Sequence, residues 1–293
     1  MRYRFMRDNR SLLPVKKMCQ VLGVSKSGFY RWKKGPYSTR REENVWLRMR
    51  ICELYAEHGG MAGSPMITAD LRSGPDFTDI SRNRVARHMR DMGLRCRSAK
   101  RFIATTDSRH GGPIAPNLLD RRFSVPSPDR AWVSDTTYLR VGRQWHYLTV
   151  FIDLFSRIVV GWDLSDSLDR HSMIRAFTKA LLRRRPDEGL LIHSDRGVQY
   201  ASSDFRRLIS EGGFIQSMSR RGNCWDNAVA ESFFHTLKTQ FIYHHRFRDK
   251  QEAEQALFNY IEIYYNRRRR HSTNGYQSPA MFENEWEKIQ KTA

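Results

Sequence analysis

Trp132-Val133-Ser134-Asp135-Thr136-Thr137-Tyr138-Leu139-Arg140-Val141 is the stretch on which the fold turns. β-Branched and aromatic residues dominate it, as in a pleated strand, and an acid sits inside it. Two similar runs follow, Trp145 to Phe155 and Ile158 to Leu164, with Gly142-Arg143 and Ser156-Arg157 in the connections. Three consecutive strands are therefore expected. Beyond them the pattern predicts a helix from about Arg170 to Arg184, a buried strand Leu190-Leu191-Ile192-His193, a helix near Asp204 to Ser210, a short strand Phe214 to Met218, and a long helix from about Asp226 to Ile242. Strands first and then alternating helix and strand is the order of an α/β domain with a mixed five-stranded sheet.

Two further acids join Asp135. Asp195 lies in His193-Ser194-Asp195-Arg196-Gly197, just past a strand end, and Glu231 lies on the long helix with 35 residues between them. Ligands at the ends of strands in α/β folds converge outside the sheet. On the helix, Ala230, Phe233, Leu237 and Phe241 form an apolar stripe, while Asn227, Glu231, His235 and Lys238 share another face by their i+4 and i+7 offsets. Carboxylates suit Mg²⁺ or Mn²⁺, which take oxygen donors. Asp153, in Phe151-Ile152-Asp153-Leu154-Phe155, is the closest rival ligand; it precedes the turn at Ser156-Arg157 and reads as structural.

Charge names the partner's chemistry. The chain has 51 Lys+Arg against 31 Asp+Glu, a formal net charge of +20. Residues 1–110 hold 24 of those bases and 10 of the acids, leaving 27 and 21 for the rest, so the basic grip and the acidic chemistry lie in different parts of the chain. Acids of this kind in so basic a chain point to metal-dependent phosphoryl chemistry on nucleic acid. No apolar run reaches the roughly 18 residues that span a bilayer, and the start lacks a signal peptide's apolar stretch, so a cytoplasmic, nucleoid-associated protein with no membrane partner is expected.

Residues 1–40 read as a helix-turn-helix. Leu13, Val15, Met18, Val21 and Leu22 recur at helical spacing, Gly23-Val24-Ser25 supplies a turn and N-cap, and a short basic helix follows with Lys26, Arg31 and Lys33 placed for DNA. An ordinary helical hairpin with a solvated basic face is the alternative. Residues 41–106 form a second helical unit, with Trp46, Met49 and Leu54 on one helix, Met66, Ile67 and Leu71 on the next, and a third helix capped by Ser81 and closed by Gly93-Leu94. Residues 107–130, rich in Pro and Gly, read as a linker; 131–245 form the α/β core and 246–293 a basic helical extension. Cys19, Cys52, Cys96 and Cys224 lie far apart and form no zinc pattern, so all four are expected to be reduced and structural.

The motifs around the acids, with Ser217-Met218-Ser219-Arg220-Arg221-Gly222-Asn223-Cys224-Trp225-Asp226-Asn227-Ala228 and Tyr265-Asn266-Arg267-Arg268-Arg269-Arg270-His271, resemble the DDE transposases of bacterial insertion sequences. The match is to the subgroup assembled from two overlapping reading frames, and this chain is similar to the second-frame product. The resemblance spans nearly the whole chain. It implies a ribonuclease-H-like catalytic core related to retroviral integrases, a triad of Asp135, Asp195 and Glu231 holding two Mg²⁺ or Mn²⁺ ions, and Lys238 as the basic residue seven positions after the glutamate. It also implies DNA partners, namely element terminal inverted repeats and a target duplex, with a homo-oligomer forming on DNA and the first-frame product as fusion or partner. Where relatives carry an aromatic-glycine-basic run, this chain has Gly60-Met61-Ala62-Gly63-Ser64-Pro65.

Trp225 is placed to stack on a base, and Asn227 beside it and Lys238, two turns beyond Glu231, are placed to contact DNA; Asp226 as a plain helix cap is the competing reading of that loop. Arg267, Arg268, Arg269 and Arg270 are read as phosphate contacts. A DNA-binding regulator without cleavage, or a plain ribonuclease-H-like nuclease, are the rival functions; the full acid set argues against the first and the two basic helical units against the second.

Overall fold

The structure is a computed structural model that describes residues 1–35, 39–97, 113–221 and 223–292. The start of the expected linker, through Gly112, lies outside the described residues, as does Gly222. The first unit has three helices, α1 (Arg2–Asp8), α2 (Val15–Leu22) and α3 (Lys26–Lys33). Gly23 takes the left-handed conformation between α2 and α3, and Ser25 Oγ accepts the Gly28 N–H at 3.0 Å to cap α3. α1 was not anticipated from the sequence. It contributes Met6 to a small core with Met18, Cys19 and Phe29. The expected stripe on α2 is corrected: Leu13 precedes the helix, and Val21 is 80% exposed. A two-turn helix against so small a core buries one narrow face, which Met18 and Cys19 occupy.

The second unit comprises α4 (Thr39–Glu57), α5 (Ser64–Ser73) and α6 (Arg82–Asp91). Here Leu47, Ile51 and Leu54 face inward, while Trp46 and Met49, expected on the buried stripe, are about half exposed. Ser81 Oγ caps α6 through the Arg84 N–H, and the Leu94 N–H reaches back to the Met89 carbonyl at 2.8 Å beyond a left-handed Gly93, as that sequence predicts.

The third unit bears out the mixed sheet. β1 (Ala131–Val141), β2 (Gln144–Asp153) and β3 (Val159–Ser165) run antiparallel in sequence; then come α7 (Arg170–Arg184), β4 (Leu191–Ser194), α8 (Ser203–Glu211), β5 (Ile215–Met218) and α9 (Ala228–Gln240). The strand order is β3-β2-β1-β4-β5, with β4 parallel to both β1 and β5. Odd-numbered β1 residues such as Val133 and Leu139 pack with Ala230, Phe233 and Leu237 of α9. Trp132 and Phe151 pack on the other face with Phe177 of α7 and Phe205 of α8. Helices thus cover both faces of the sheet.

Two segments are bound more tightly than their composition suggested. From residue 113 the expected linker is a packed strap: Leu119 is 2% exposed, and the Leu118 and Leu119 N–H groups both donate to Ser217 Oγ. The C-terminal segment likewise closes the core. α10 (Lys250–Phe258) continues into a π-helical turn, Asn259–Tyr265, that buries Tyr260, Ile261, Tyr264 and Tyr265, and α11 (Pro279–Thr292) follows. The Asn266 amide pairs with both backbone groups of Val159, closing part of the exposed edge of β3. Asp153 is fully buried and accepts the N–H groups of Asp129, Phe155 and Ser156, which makes it structural as expected.

The second unit docks on this C-terminal layer through charge. Asp70 of α5 accepts from Arg270 through Oδ1 and contacts His58 Nε2 through Oδ2 at 2.8 Å, while Arg270 also reaches Ser73 Oγ and the Tyr276 carbonyl. Both members of the Asp70–Arg270 pair are mostly buried, so removing one leaves the other desolvated. Arg270→Met is expected to cost about 3 kcal/mol in denaturant unfolding, and the Asp70→Asn/Arg270→Met double variant to lose less than Arg270→Met alone. Equal stability of wild type and single variant would show that the pair does not hold the units together.

Candidate active site

Sheet register brings the two aspartates together. The last paired residues of parallel β1 and β4 are Ser134 and Ser194, so Asp135 and Asp195 each stand one residue further along neighbouring strands, which run about 4.8 Å apart. Asp135 Oδ1 accepts the Thr136 N–H at 2.8 Å, and Asp195 Oδ1 accepts the Gly197 N–H at 2.9 Å. Gly197 is closely approached: a Cβ would lie 3.0 Å from Asp195 Oδ1 and 2.9 Å from Gln199 Oε1, so a side chain there would press on the aspartate. Asp135 shares the parity of Val133, the face that α9 covers.

The third acid comes with α9. Asn223 Oδ1 accepts the Trp225 N–H and opens a single 3₁₀ turn, Cys224–Asn227, that leads into the helix. Asn227 then donates from Nδ2 to the Ser134 carbonyl at 3.2 Å, tying the start of α9 to the residue before Asp135. Glu231 lies in the first turn of α9, one turn beyond this tie.

Electrostatics show that the three acids are neighbours. The Asp135 carboxyl is pushed well above its usual range by burial and by the Asp195 charge, with Glu231 adding to the shift and the Thr136 N–H and Lys238 opposing it. The Glu231 carboxyl is raised by burial and by Asp195. Among the described residues no group of three or more His, Cys, Asp or Glu stands in ligand geometry, so these acids are neighbours by charge rather than a closed cage. The donor set still fits a hard divalent cation: it consists of carboxylates alone, and a cation would relieve the repulsion that raises Asp135.

Sequence reasoning missed the groups around the acids. Tyr200, five residues after Asp195, is buried and its hydroxyl lies 2.7 Å from Ser134 Oγ. Burial, then Asp195 and Asp135, hold the phenol well above its usual range, so it stays neutral. His193 is also fully buried, clamped between Ser217 Oγ and Ser219 Oγ, and burial pulls its imidazole down to about 4. Asp226 is a hub rather than a cap: it binds Arg220, Arg121 and Asn117, and the Arg220 hydrogen bonds hold its carboxyl well below the usual range. A cap pattern and a buried arginine acceptor look alike in sequence, because the partners Asn117 and Arg121 lie over a hundred residues away.

The expected DNA contacts fall into distinct environments. Trp225 is 68% exposed beside the start of α9. Asn227 is buried on β1, and Lys238 is buried with its Nζ 4.7 Å from the centre of the Tyr138 ring. Burial lowers the Lys238 ammonium, and Asp135 partly offsets this. Arg267 and Arg268 are exposed, Arg269 lies over the Tyr265 ring, and Arg270 belongs to the Asp70 lock. Lys26, Arg31 and Lys33 are exposed on α3, in a unit whose core includes none of the acid-bearing elements. Of the cysteines, Cys52 is exposed rather than buried, Cys19 is buried and Cys96 is partly so; the Cys224 side chain lies outside the described residues.

Two integrase core domain models match residues 125–224 and 213–279, and an HTH-like domain model matches residues 41–102. Transposase InsF of insertion sequence IS3A from Escherichia coli strain K12 is 37% identical over 287 residues, 97% of this chain and 99% of its own length. The chain belongs to the IS3-family transposases. The insertion element IS600 uncharacterized 31 kDa protein of Shigella sonnei is 38% identical over 93% of this chain and 99% of its own. Among solved structures, the HTLV-2 integrase catalytic core domain in complex with magnesium covers 54% of this chain and 97% of its own length, at 17% identity and a TM-score of 0.42. The α/β unit of this IS3-family transposase, with its mixed five-stranded sheet, is an integrase core domain, and an HTH-like domain precedes it. Among the described residues no helix is long and apolar enough to cross a membrane.

The raised Asp135 carboxyl gives a test that needs no substrate. An acid whose folded-state pKa lies above its unfolded value penalises the fold when ionised; the penalty is complete above the folded pKa and absent below the unfolded one, near 4. Asp135→Asn keeps an acceptor for the Thr136 N–H. In chelator it is expected to raise the Tm at neutral pH, with the gain fading as pH falls toward 4. A neutral-pH Tm at or below wild type would contradict a raised Asp135 carboxyl.

Proposed function

We propose that this transposase cuts insertion-element ends and joins them to target DNA at one centre, with Asp135, Asp195 and Glu231 as its metal-holding acids. The observation that carries the reading is the register of β1 and β4: it sets Asp135, inside β1, beside Asp195, just past the end of β4, and the charge of Asp195 reaches both Asp135 and Glu231. Two Mg²⁺ or Mn²⁺ ions bound there would supply Lewis-acid activation of the attacking hydroxyl and charge for the departing oxygen. The same centre serves both steps, since cleavage uses water and joining uses a DNA 3′-hydroxyl.

The chain's own groups position the reaction. The Thr136 and Gly197 N–H groups fix one oxygen of each aspartate, and the Asn227 amide holds Glu231's helix on β1. Neutral Tyr200 adds no charge beneath the acids. Lys238 is a nearby cation, and its proposed part is to steady Asp135 and the strand phosphate beside it. Trp225 offers a stacking face for a base, and Arg267 and Arg268 offer phosphate contacts. Lys26, Arg31 and Lys33 on α3, with Arg82, Arg87 and Arg90 on α6, are exposed for duplex recognition. Terminal inverted repeats and target duplex are the proposed DNA partners, bound by a homo-oligomer, with the first-frame product as fusion or partner.

Labelled element ends with Mg²⁺ test the centre. Asp135→Asn, Asp195→Asn and Glu231→Gln are each expected to abolish cleavage and joining while duplex binding stays near wild type; strand transfer retained by any one removes that residue from the site. Trp225→Ala should weaken end binding by about 1–3 kcal/mol in anisotropy titrations, the value of one base–aromatic stack. Unchanged affinity would return Trp225 to the status of an ordinary exposed residue.

A further inference from the structure

Next to the acid-bearing face of α9 lies a cavity of about 400 Å³ that the proposed chemistry does not use. Ser232 of α9 lines it, one residue on from Glu231, and Arg157, Arg269, His271 and Thr273 line it from the other side. Among the described residues no acid lines it.

Its lining includes a cation that makes no ion pair among the described residues. Arg157 sits in the turn between β2 and β3 with a left-handed φ of 68°, and only 7% of it is exposed. Its Nη2 donates to the Phe123 carbonyl at 2.9 Å, while its buried Nη1 has no hydrogen-bond partner among the described residues. The nearby carboxylate of Asp153 accepts three backbone N–H groups instead. A buried guanidinium left in this state is unfavourable unless an anion completes it. His271 repeats the pattern, since its Nδ1 is buried with no hydrogen-bond partner among the described residues. Burial first, then the charges of Arg269 and Arg157, hold the His271 imidazole down near 4, and both arginines line the cavity.

We propose that this cavity is a phosphate site, in which Arg157 and neutral His271 donate to phosphoryl oxygens, Arg269 adds charge from the wall, and the hydroxyls of Ser232 and Thr273 complete the shell. The phosphate is either a backbone phosphate of DNA passing around α9 or a free phosphate ion; the first source rests on the transposase reading above, the second does not.

Full-length protein separates the cases. Inorganic phosphate is expected to raise the wild-type Tm above that in chloride at matched ionic strength, and Arg157→Met to lose this gain. Because Arg157 also holds the Phe123 carbonyl, the exposed rim variant Thr273→Glu provides a second probe that does not endanger folding, and it too should lose the gain. In duplex-binding titrations without metal, a DNA phosphate in the cavity predicts that Thr273→Glu lowers the magnitude of the log–log salt slope by about 1, whereas Gln290→Glu on α11 leaves it unchanged. Loss of the phosphate effect with an unchanged slope assigns the cavity to the free ion. The proposal is overturned if phosphate stabilises no more than chloride and Thr273→Glu leaves the slope at the wild-type value. Neither readout depends on strand cleavage, so failure of the catalytic assignment leaves this test intact.

Discussion

Parallel pairing of β1 with β4 is the constraint on which the rest of the molecule depends. Their paired residues, such as Ala131 and Leu191, are 60 positions apart, and β2, β3 and α7 lie between the two strands in sequence. Their backbone ladder runs to Ser134 and Ser194. A shift of one residue would turn the following side chains to the opposite face and separate Asp135 from Asp195. α9 is then fixed by two independent means: an apolar stripe of Ala230, Phe233 and Leu237 on the sheet, and the Asn227 hydrogen bond to Ser134. Glu231 comes within reach of the Asp195 charge because packing and a polar tie agree.

Three acids near this sheet are desolvated, and each is handled differently. Asp226 is surrounded by arginines and stays ionised. Asp153 is surrounded by backbone N–H donors, though burial still raises it to about 6. Asp135 has one backbone donor and two like-charged neighbours. Structural acids are matched to donors, whereas a buried acid held beside like charges is a candidate for a functional site. That contrast singles out Asp135 better than its burial does.

Positive charge is divided in the same way. The run from Arg267 to Arg270 looks like one basic patch, but the helix ends there and its members diverge: two are exposed, one lies on an aromatic ring, and one locks α5 to the C-terminal layer. Arg157, in a turn that reads as plain punctuation, is instead buried at the base of a cavity. Formal charge counts therefore describe attraction to a polyanion at long range, while burial decides which cations can meet it.

Periodicity, turn residues and caps are local, so the sequence by itself determined the order of strands and helices in the core, the Ser25 and Ser81 caps and the Gly93 stop. It also singled out Asp135, Asp195 and Glu231, because their motifs are contiguous and their places relative to strand ends can be read from pattern. What only the tertiary structure decided are facts about distant partners. Leu47 and Ile51 rather than Trp46 and Met49 turn inward because the neighbouring helices choose the buried face. The strap from residue 113 and the turn at Tyr260–Tyr265 belong to the core because the sheet offers them apolar surface, which no local pattern records. Asp226, Tyr200 and Arg270 acquire their roles from residues about 65 to 200 positions away. Hydrogen bonds and desolvation act through space, and that is the information a linear pattern lacks.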